Sequence, residues 1–515
     1  MNATTLAALA QTLADRSLLV TAHPLGQEDA PITSVASDSR FARPDSLFIC
    51  KGVAFKDAYL QSAIDKGAIG YLCDENRAAE LAAFAPGCPS IVTTDEGFRE
   101  AMGLVSPEAW GHPDLDVPIL GITGTKGKST CAYMLRAIVD AAYGDGRCGV
   151  MGSIDMYDGI ENTESVNTTP EAPDLWRHVA NARDSHLNAI AMEVSSQGLK
   201  YNRVDGLHLT AGAFLNLGRD HISAIEHPDF EDYFASKLRI FEHTNVGIVN
   251  LETDRAPEVL ASAQRCERVV RFAASGRHTP VGDADIWATN IVPEVGYVHF
   301  VAHTPTWEGP VTLSMPGLFN VDNALAAIAL CAELGIGEDA VREGLAHVRV
   351  PGRMELIPTF DPRVIGLVDY AHNKLSYQRF FSSVAEEFPG KAIIAVFGAP
   401  GCKAYERRTE LPQEAAKWSD VLIYTEEDPA YDPVEEICEQ MAAATPEGAR
   451  YEVICDREEA IARSVELAFE FEQGAVVCLL AKGDETRQHR GSKFVPVESD
   501  PVLFERYVEQ HKDRA

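Results

Sequence analysis

The chain has 515 residues, with 45 Lys and Arg against 77 Asp and Glu, a formal charge of −32 and 46% hydrophobic residues. That length exceeds one ordinary core and calls for about three domains. The composition is globular, and the acidity argues against nonspecific binding to nucleic acid or an anionic membrane, so any anionic ligand needs local basic groups.

Residues 1 to about 112 alternate short apolar strands (Ser46–Cys50, Ile69–Leu72, Ser90–Thr93) with helical patterns and end near Trp110-Gly-His-Pro113. From 113 to 349 a strand–helix series follows, through Val117–Leu120, Ala189–Val194, Ala211–Leu215 and Val246–Val249, in apolar runs that suit buried parallel strands. Within it, Gly296–Val301 and Val311–Met315 alternate more clearly and predict an antiparallel insertion ahead of a helix at Asn323–Cys331. A third α/β set, 350–515, contributes Val364–Asp369, Ala392–Phe397, Val421–Tyr424 and Ala475–Leu480. The 11 cysteines have no C-x-x-C spacing and read as buried thiols of a reducing compartment. Met1–Ala10 lacks a basic leader region and no apolar run nears the ~18 residues of a span, so the expectation is a cytoplasmic protein without membrane insertion.

Chemistry concentrates first at Gly121-Ile-Thr-Gly-Thr-Lys-Gly-Lys-Ser-Thr130, between a strand and a helix. Glycines let backbone N–H groups approach phosphate, Lys128 supplies a cation for the β- and γ-phosphates, and Ser129 offers a hydroxyl to Mg²⁺. The helix that follows points its N-terminus at the anion. Gly124, Thr125, Lys126, Gly127, Lys128, Ser129 and Thr130 are therefore expected to bind ATP, although Ile122 stands where the strict motif has glycine. Glu193 ends an apolar run and is a candidate carboxylate for the same Mg²⁺. Asn216-Leu-Gly-Arg-Asp-His221 follows another strand, and Lys237 comes sixteen residues after His221.

The ordered set of this loop, Asn167-Thr-Thr-Pro170, Met192–Ser196, Asn216–His221, Lys237, Phe319–Ala324, Gly352–Glu355 and Asp369-Tyr-Ala-His372 resembles the Mur ligases, and among them the UDP-N-acetylmuramoyl-tripeptide synthetases. The resemblance runs from Ser37-Asp-Ser-Arg40 to Lys482-Gly-Asp-Glu485. It implies a three-domain α/β architecture: a UDP-binding domain (1–112), a central parallel-sheet ATPase domain (113–349) and a Rossmann-like C-terminal domain that brings the amino acid (350–515). The resemblance places Ser39 at the UDP site and Asn167, Thr168, Thr169, Ser195 and Arg203 at the muramoyl-dipeptide. It gives Ser129, Glu193, His221 and Lys237 to the metals, with Lys237 carbamylated, and Lys128, Glu193, His221 and Lys237 to catalysis. Asn320 and Asn323 resemble adenine-pocket asparagines, while Arg353 and Asp369 resemble groups that meet ATP on closure. The implied partners are UDP-MurNAc-dipeptide and a diamino acid, the cofactors ATP and Mg²⁺, and the chain a monomer.

Departures bear on which amino acid is taken. Members that add meso-diaminopimelate typically carry Asp-Asn-Pro-Arg, whereas this chain has Glu427-Asp-Pro-Ala430, and Gly401-Cys-Lys-Ala404 stands where an arginine is common. Lys403, Arg407 or Arg408 then takes that arginine's role, and Glu427, Asp428, Asp432 and Glu485 favour a cationic side chain such as that of L-lysine. Gln197 and Tyr201 also differ from the usual residues near the dipeptide site. Two other readings stay open on sequence alone: another ligase of the superfamily, such as a folylpolyglutamate synthase or a lipid-linked muramyl ligase, and a nucleotide-binding module without ligation. Ser37–Arg40 favours a UDP-sugar over a folate, and the second-metal residues weigh against a mere binding module.

Overall fold

The computed structural model describes residues 4–219, 222 and 226–514. The chain packs as two compact units, Met1–Trp287 with Leu325–Gly344, and Ala288–Ala324 with Leu345–Ala515. The expected boundary near 112 falls inside the first unit. The reason lies in the core: Leu47, Leu72, Ile91 and Trp110 share one apolar cluster with Ile119, Trp176, Ile190 and Phe214.

The N-terminal sheet of this unit runs in the order Leu19–His23, Ser90–Thr93, Gly70–Asp74, Ser46–Ile49, Ser34–Ala36. Only its first pairing is antiparallel. A second sheet carries parallel strands in the order Cys148–Met151, Ala189–Glu193, Ile119–Thr123, Leu209–Phe214, Thr244–Asn250, Arg268–Ala273. Its central strands are buried throughout, which is why they read as continuous apolar runs. The strand Ile119–Thr123 starts two residues later than the apolar run that predicts it, and the helix expected after the glycine loop runs over Lys128–Tyr143.

Register decides the site. Glu193 lies opposite Ile122 on one side of the central strand, and Phe214 lies opposite Thr123 on the other. Three loops therefore leave the same sheet edge side by side, at the carboxyl ends where open α/β sheets bind ligands.

In the second unit Tyr297–His303 and Glu308–Leu313 form the expected antiparallel pair. A six-stranded sheet follows in the order Glu355–Pro358, Val364–Asp369, Ala475–Leu480, Ala392–Phe397, Val421–Tyr424, Tyr451–Val453. All its pairings are parallel except the first. A separate hairpin joins Arg487–Arg490 to Lys493–Pro496. Among the described residues no helix is long and apolar enough to cross a membrane.

Candidate active site

The glycine loop of the first unit is held from both sides. Asn216 accepts the Lys126 N–H at 2.9 Å and donates to the Lys126 carbonyl at 2.9 Å. Thr125 Oγ1 accepts the Gly218 N–H at 2.9 Å and lies 3.0 Å from the Tyr233 hydroxyl. Gly127 has φ +87 and caps the helix Lys128–Tyr143 without a side-chain bond, so a left-handed residue ends the loop and the first N–H groups of the helix open toward it. Ser129 and Thr130 occupy the buried first turn.

Two lysines converge on one carbonyl. Lys128 Nζ donates to the Gly124 oxygen at 3.0 Å, and Lys237 Nζ donates to the same oxygen at 2.9 Å. Lys237 is 2% exposed and its Nζ lies 4.6 Å from the centre of the Tyr233 ring. Its helix, Phe230–Leu238, is capped by Asp229, which accepts the Asp232 N–H. His221 lies outside the described residues.

Glu193 is 1% exposed, and its carboxylate accepts the Ser153 N–H at 2.8 Å and the Ser153 hydroxyl at 3.3 Å. A Cβ at Gly152 would stand 2.4 Å from Glu193 Oε1, so the residue before Ser153 has no room for a side chain. Ser153 Oγ also lies 2.9 Å from Thr168 Oγ1. Thr169 Oγ1 donates to the Glu193 carbonyl at 3.0 Å and accepts the Ser195 N–H at 2.9 Å. Arg203 donates to the Thr169 carbonyl at 2.9 Å and pairs with Glu171 at 2.8 Å.

Thr168, Thr169, Ser195 and Arg203 thus form one network with Glu193. No hydrogen bond among the described residues joins Ser39 or Asn167 to it. The Ser39 carbonyl accepts from Lys66 at 2.7 Å, and the Asn167 carbonyl accepts from Ser165 at 2.9 Å.

Sequence reasoning missed two residues here. Ser153 follows the strand Cys148–Met151, whose Met151 pairs with Met192, so only the strand order brings it to Glu193. His227, fully buried, lies 2.6 Å from Asp232 and 3.0 Å from the Ser196 hydroxyl, tying the helix of Lys237 to the helix that Ser195 caps.

A hollow of about 630 Å³ lined by Asp116, Val117, Arg183, Asp184, His186 and Leu187 opens beside residues that precede the strands. It lies at the amino ends of the sheet, away from the glycine loop.

In the second unit Asn320 donates to the Pro316 carbonyl at 2.7 Å and accepts from Asn323 at 2.9 Å. Arg353 lies over the Tyr370 ring at 4.4 Å, and Asp369 accepts the Met354 N–H at 2.8 Å and the Ala371 N–H at 2.7 Å. Burial, with Glu485 nearby, raises the Tyr370 phenol above its ordinary range.

The loop before Asn320 is tied to Glu387, whose Oε1 accepts the Gly317 N–H while its buried Oε2 has no hydrogen-bond partner. Burial lifts this carboxyl from 4.5 to about 7. Between those values the folded chain keeps a proton that the unfolded chain has released, so the contribution to stability is full below about 4.5 and lost as pH rises to about 7. Glu387→Gln is expected to stabilise the protein at pH 8 by on the order of 1–3 kcal/mol, with the gain vanishing near pH 4.5. Denaturant melts at the two pH values check this, and an equal effect at both would contradict it.

The strand Ala392–Phe397 lies between Ala475–Leu480 and Val421–Tyr424, so the loops after all three emerge together. They bring Glu427, Asp428 and Glu485 into one acidic group around a buried lysine: Lys482 Nζ contacts Asp428 at 2.9 Å and Glu485 at 2.5 Å. Glu427 is buried, its Oε2 has no hydrogen-bond partner, and burial pushes its carboxyl up to about 7, with Asp428 adding to the rise and Arg407 opposing it. Lys403 is exposed, and Arg408 is committed to Asp432 and to Gln440. Ala430 sits at φ +49.

Similarity to known proteins agrees with this geometry. Residues 122–331 match the Mur ligase middle domain and residues 352–483 the Mur ligase glutamate ligase domain. A UDP-N-acetylmuramyl-tripeptide synthetase of Lactobacillus delbrueckii subsp. bulgaricus is 34% identical over 493 residues, covering 93% of each chain. A UDP-N-acetylmuramoyl-L-alanyl-D-glutamate–L-lysine ligase of Enterococcus faecalis is 32% identical, covering 94% of this chain and 92% of its own. A 2,6-diaminopimelate ligase on the same UDP-dipeptide from Clostridioides difficile is also 32% identical, covering 90% and 92%. A solved 2,6-diaminopimelate ligase superposes with a TM-score of 0.63 at 22% identity, covering 99% of this chain and 100% of that one.

The chain belongs to the Mur ligase family. It is an ATP-dependent ligase with the α/β architecture of that family.

Proposed function

We propose that this ligase adds a diamino acid, L-lysine in first place, to UDP-N-acetylmuramoyl-L-alanyl-D-glutamate, the third residue of the peptidoglycan stem peptide. One observation carries the reading. Ser153 joins Glu193, beside the phosphate loop, to Thr168 of the dipeptide network, so transfer and acceptor groups share one hydrogen-bonded strip. The names of the tripeptide-synthetase relatives support the same substrate.

In the proposed reaction the terminal carboxylate of the dipeptide attacks the γ-phosphorus of ATP, giving an acyl phosphate and ADP. The amine of the amino acid then adds to the acyl carbon, loses a proton, and the tetrahedral intermediate expels phosphate to leave the amide. The first step brings two anions together, so electrostatic groups that offset their repulsion dominate its barrier. Lys128 and the helix N-terminus at Gly127 supply positive potential at the transferred phosphoryl. Thr168, Thr169, Ser195 and Arg203 orient the acceptor, with Asn167 at its edge, while Ser39 takes the UDP end.

Ser129 and Glu193 are hard oxygen donors of the kind Mg²⁺ prefers, so they fit that ion. Bound there, it would offset phosphate charge. Lys237 as an ammonium does not fit a cation site, and as a carbamate it does. The convergence of Lys128 and Lys237 on one buried carbonyl favours a Lys237 that has lost its positive charge. Asn320 and Asn323 take the adenine, and Arg353 and Asp369 meet the nucleotide. The functional modules are 1–112, 113–349 and 350–515, in a cytoplasmic monomer.

For the amino acid, Glu427, Asp428 and Glu485 attract a distal ammonium and repel a distal carboxylate, and Ala430 offers no clamp for one. A missing charge-assisted contact costs about 1.5–3 kcal/mol, roughly ten- to a hundredfold. L-Lysine is therefore expected to exceed meso-diaminopimelate in kcat/KM by that factor. Steady-state kinetics with both on one UDP-dipeptide checks it, and a preference for meso-diaminopimelate would reverse the assignment.

A further inference from the structure

The segment Glu426–Ala430 is held by the hairpin Arg487–Pro496, in which the sequence shows no chemistry-bearing motif. His489 N–H donates to Asp428 Oδ1 at 3.1 Å, the Ala430 N–H donates to the His489 carbonyl at 3.0 Å, and the Gly491 N–H donates to the Ala430 carbonyl at 2.6 Å. Ala430 and Arg490 form a bridge, so the arginine is the immediate backbone neighbour of the segment's end. Arg490 binds Glu426 with two parallel hydrogen bonds, Nε to Oε1 at 2.7 Å and Nη2 to Oε2 at 2.6 Å. The two partners differ in exposure. Glu426 is buried, whereas the Arg490 side chain is 52% exposed.

A half-exposed guanidinium on the strand that bridges Ala430 would ordinarily invite an anion, and the acidic side chains that act on it are Glu426 and, more weakly, Asp456. Here a buried carboxylate occupies its bidentate face, and the cation is neutralised where the amino acid is proposed to sit. Glu426 is itself fixed from behind, since its N–H donates to the Cys455 carbonyl at 3.2 Å and its carbonyl accepts from Arg457 at 3.1 Å. Arg490 rather than Glu426 is thus the partner with room to move.

We propose that the Glu426–Arg490 pair is a specificity-determining latch: Glu426 withholds Arg490 from the amino-acid site and so disfavours a diamino acid bearing a second carboxylate. The inference rests on the placing of the amino acid proposed above. It does not rest on which amino acid the wild type prefers, because its readout is a change in a ratio.

The test measures kcat/KM for meso-diaminopimelate and for L-lysine with saturating ATP and UDP-dipeptide. Glu426→Gln keeps the side-chain size, removes the charge and frees the guanidinium. The ratio of meso-diaminopimelate to L-lysine is expected to rise about tenfold or more, the worth of one charge-assisted contact, with the KM for ATP unchanged. Adding Arg490→Gln should return the ratio to its wild-type value. A ratio unmoved in active Glu426→Gln, or a raised ratio that survives the loss of Arg490, overturns the latch. Should Glu426→Gln not fold, Arg490→Lys keeps the charge but loses the two-pronged grip, and its ratio should shift the same way; a flat ratio there also overturns it. A wild type that prefers meso-diaminopimelate contradicts the proposed substrate while leaving this ratio test intact.

Discussion

Lys128→Ala is expected to lower ligation by at least a hundredfold to a thousandfold while the protein stays folded, because removing one preorganised electrostatic group at a developing charge costs roughly 3–4 kcal/mol. The side chain donates to two loop carbonyls, Gly124 at 3.0 Å and Thr125 at 3.4 Å, and its loss is expected to leave the helix Lys128–Tyr143 and the sheet beneath it in place. The effect should fall on kcat more than on the KM of the amino acid, whose proposed groups lie elsewhere. Lys128→Arg should not restore full activity, since a planar fork differs from a point charge. Rapid-quench measurement of ADP formation checks the result, and turnover near the wild-type rate would remove the phosphate-loop role.

Lys237→Ala should be nearly as damaging, for a different reason. Lys237 is buried against Gly124 and Tyr233, and as an ammonium it would add a second cation where Lys128 already stands. As a carbamate it turns into an oxygen donor. The expected outcome is a loss of about a hundredfold or more, on the scale of other electrostatic groups at such sites, with partial recovery on adding short carboxylic acids that can enter the vacated space. A carbon-13 resonance from labelled bicarbonate, present in the wild type and absent in Lys237→Ala, would identify the carbamate directly. No such resonance, together with full activity of the variant, would make Lys237 an ordinary buried lysine.

What the sequence could reveal follows the range of the interactions concerned. The strand–loop–helix around the glycine loop was legible because its requirements are local: an apolar strand before, glycines in the turn and a helical pattern after. The buried parallel strands were legible as apolar runs. The strand Leu19–His23 was not, because it lies half-exposed at a sheet edge and carries no continuous apolar signal.

Non-local geometry was the larger gap. Ser153 reaches Glu193 through strand order, and His227 couples two helices through side chains thirty-one residues apart in the Ser196 contact. The acids Asp428 and Glu485 could equally have been solvated loop charges on sequence alone, and their shared grip on Lys482 shows that they are held together. The left-handed Ala430 has no local signal, since alanine does not favour that conformation, and it depends on the hairpin that bonds to both its N–H and its carbonyl. The shared core that merges the first two expected domains into one compact unit is likewise a product of packing.

The most direct test of the central claim is phosphate release by the purified protein with ATP, Mg²⁺, UDP-N-acetylmuramoyl-L-alanyl-D-glutamate and a panel of amino acids, with the UDP product weighed by mass spectrometry. The account predicts release only when both the UDP-dipeptide and a diamino acid are present, one phosphate for each UDP-tripeptide formed. ATP binding without release under any of these combinations, or release with a folate in place of the UDP-dipeptide, would contradict it.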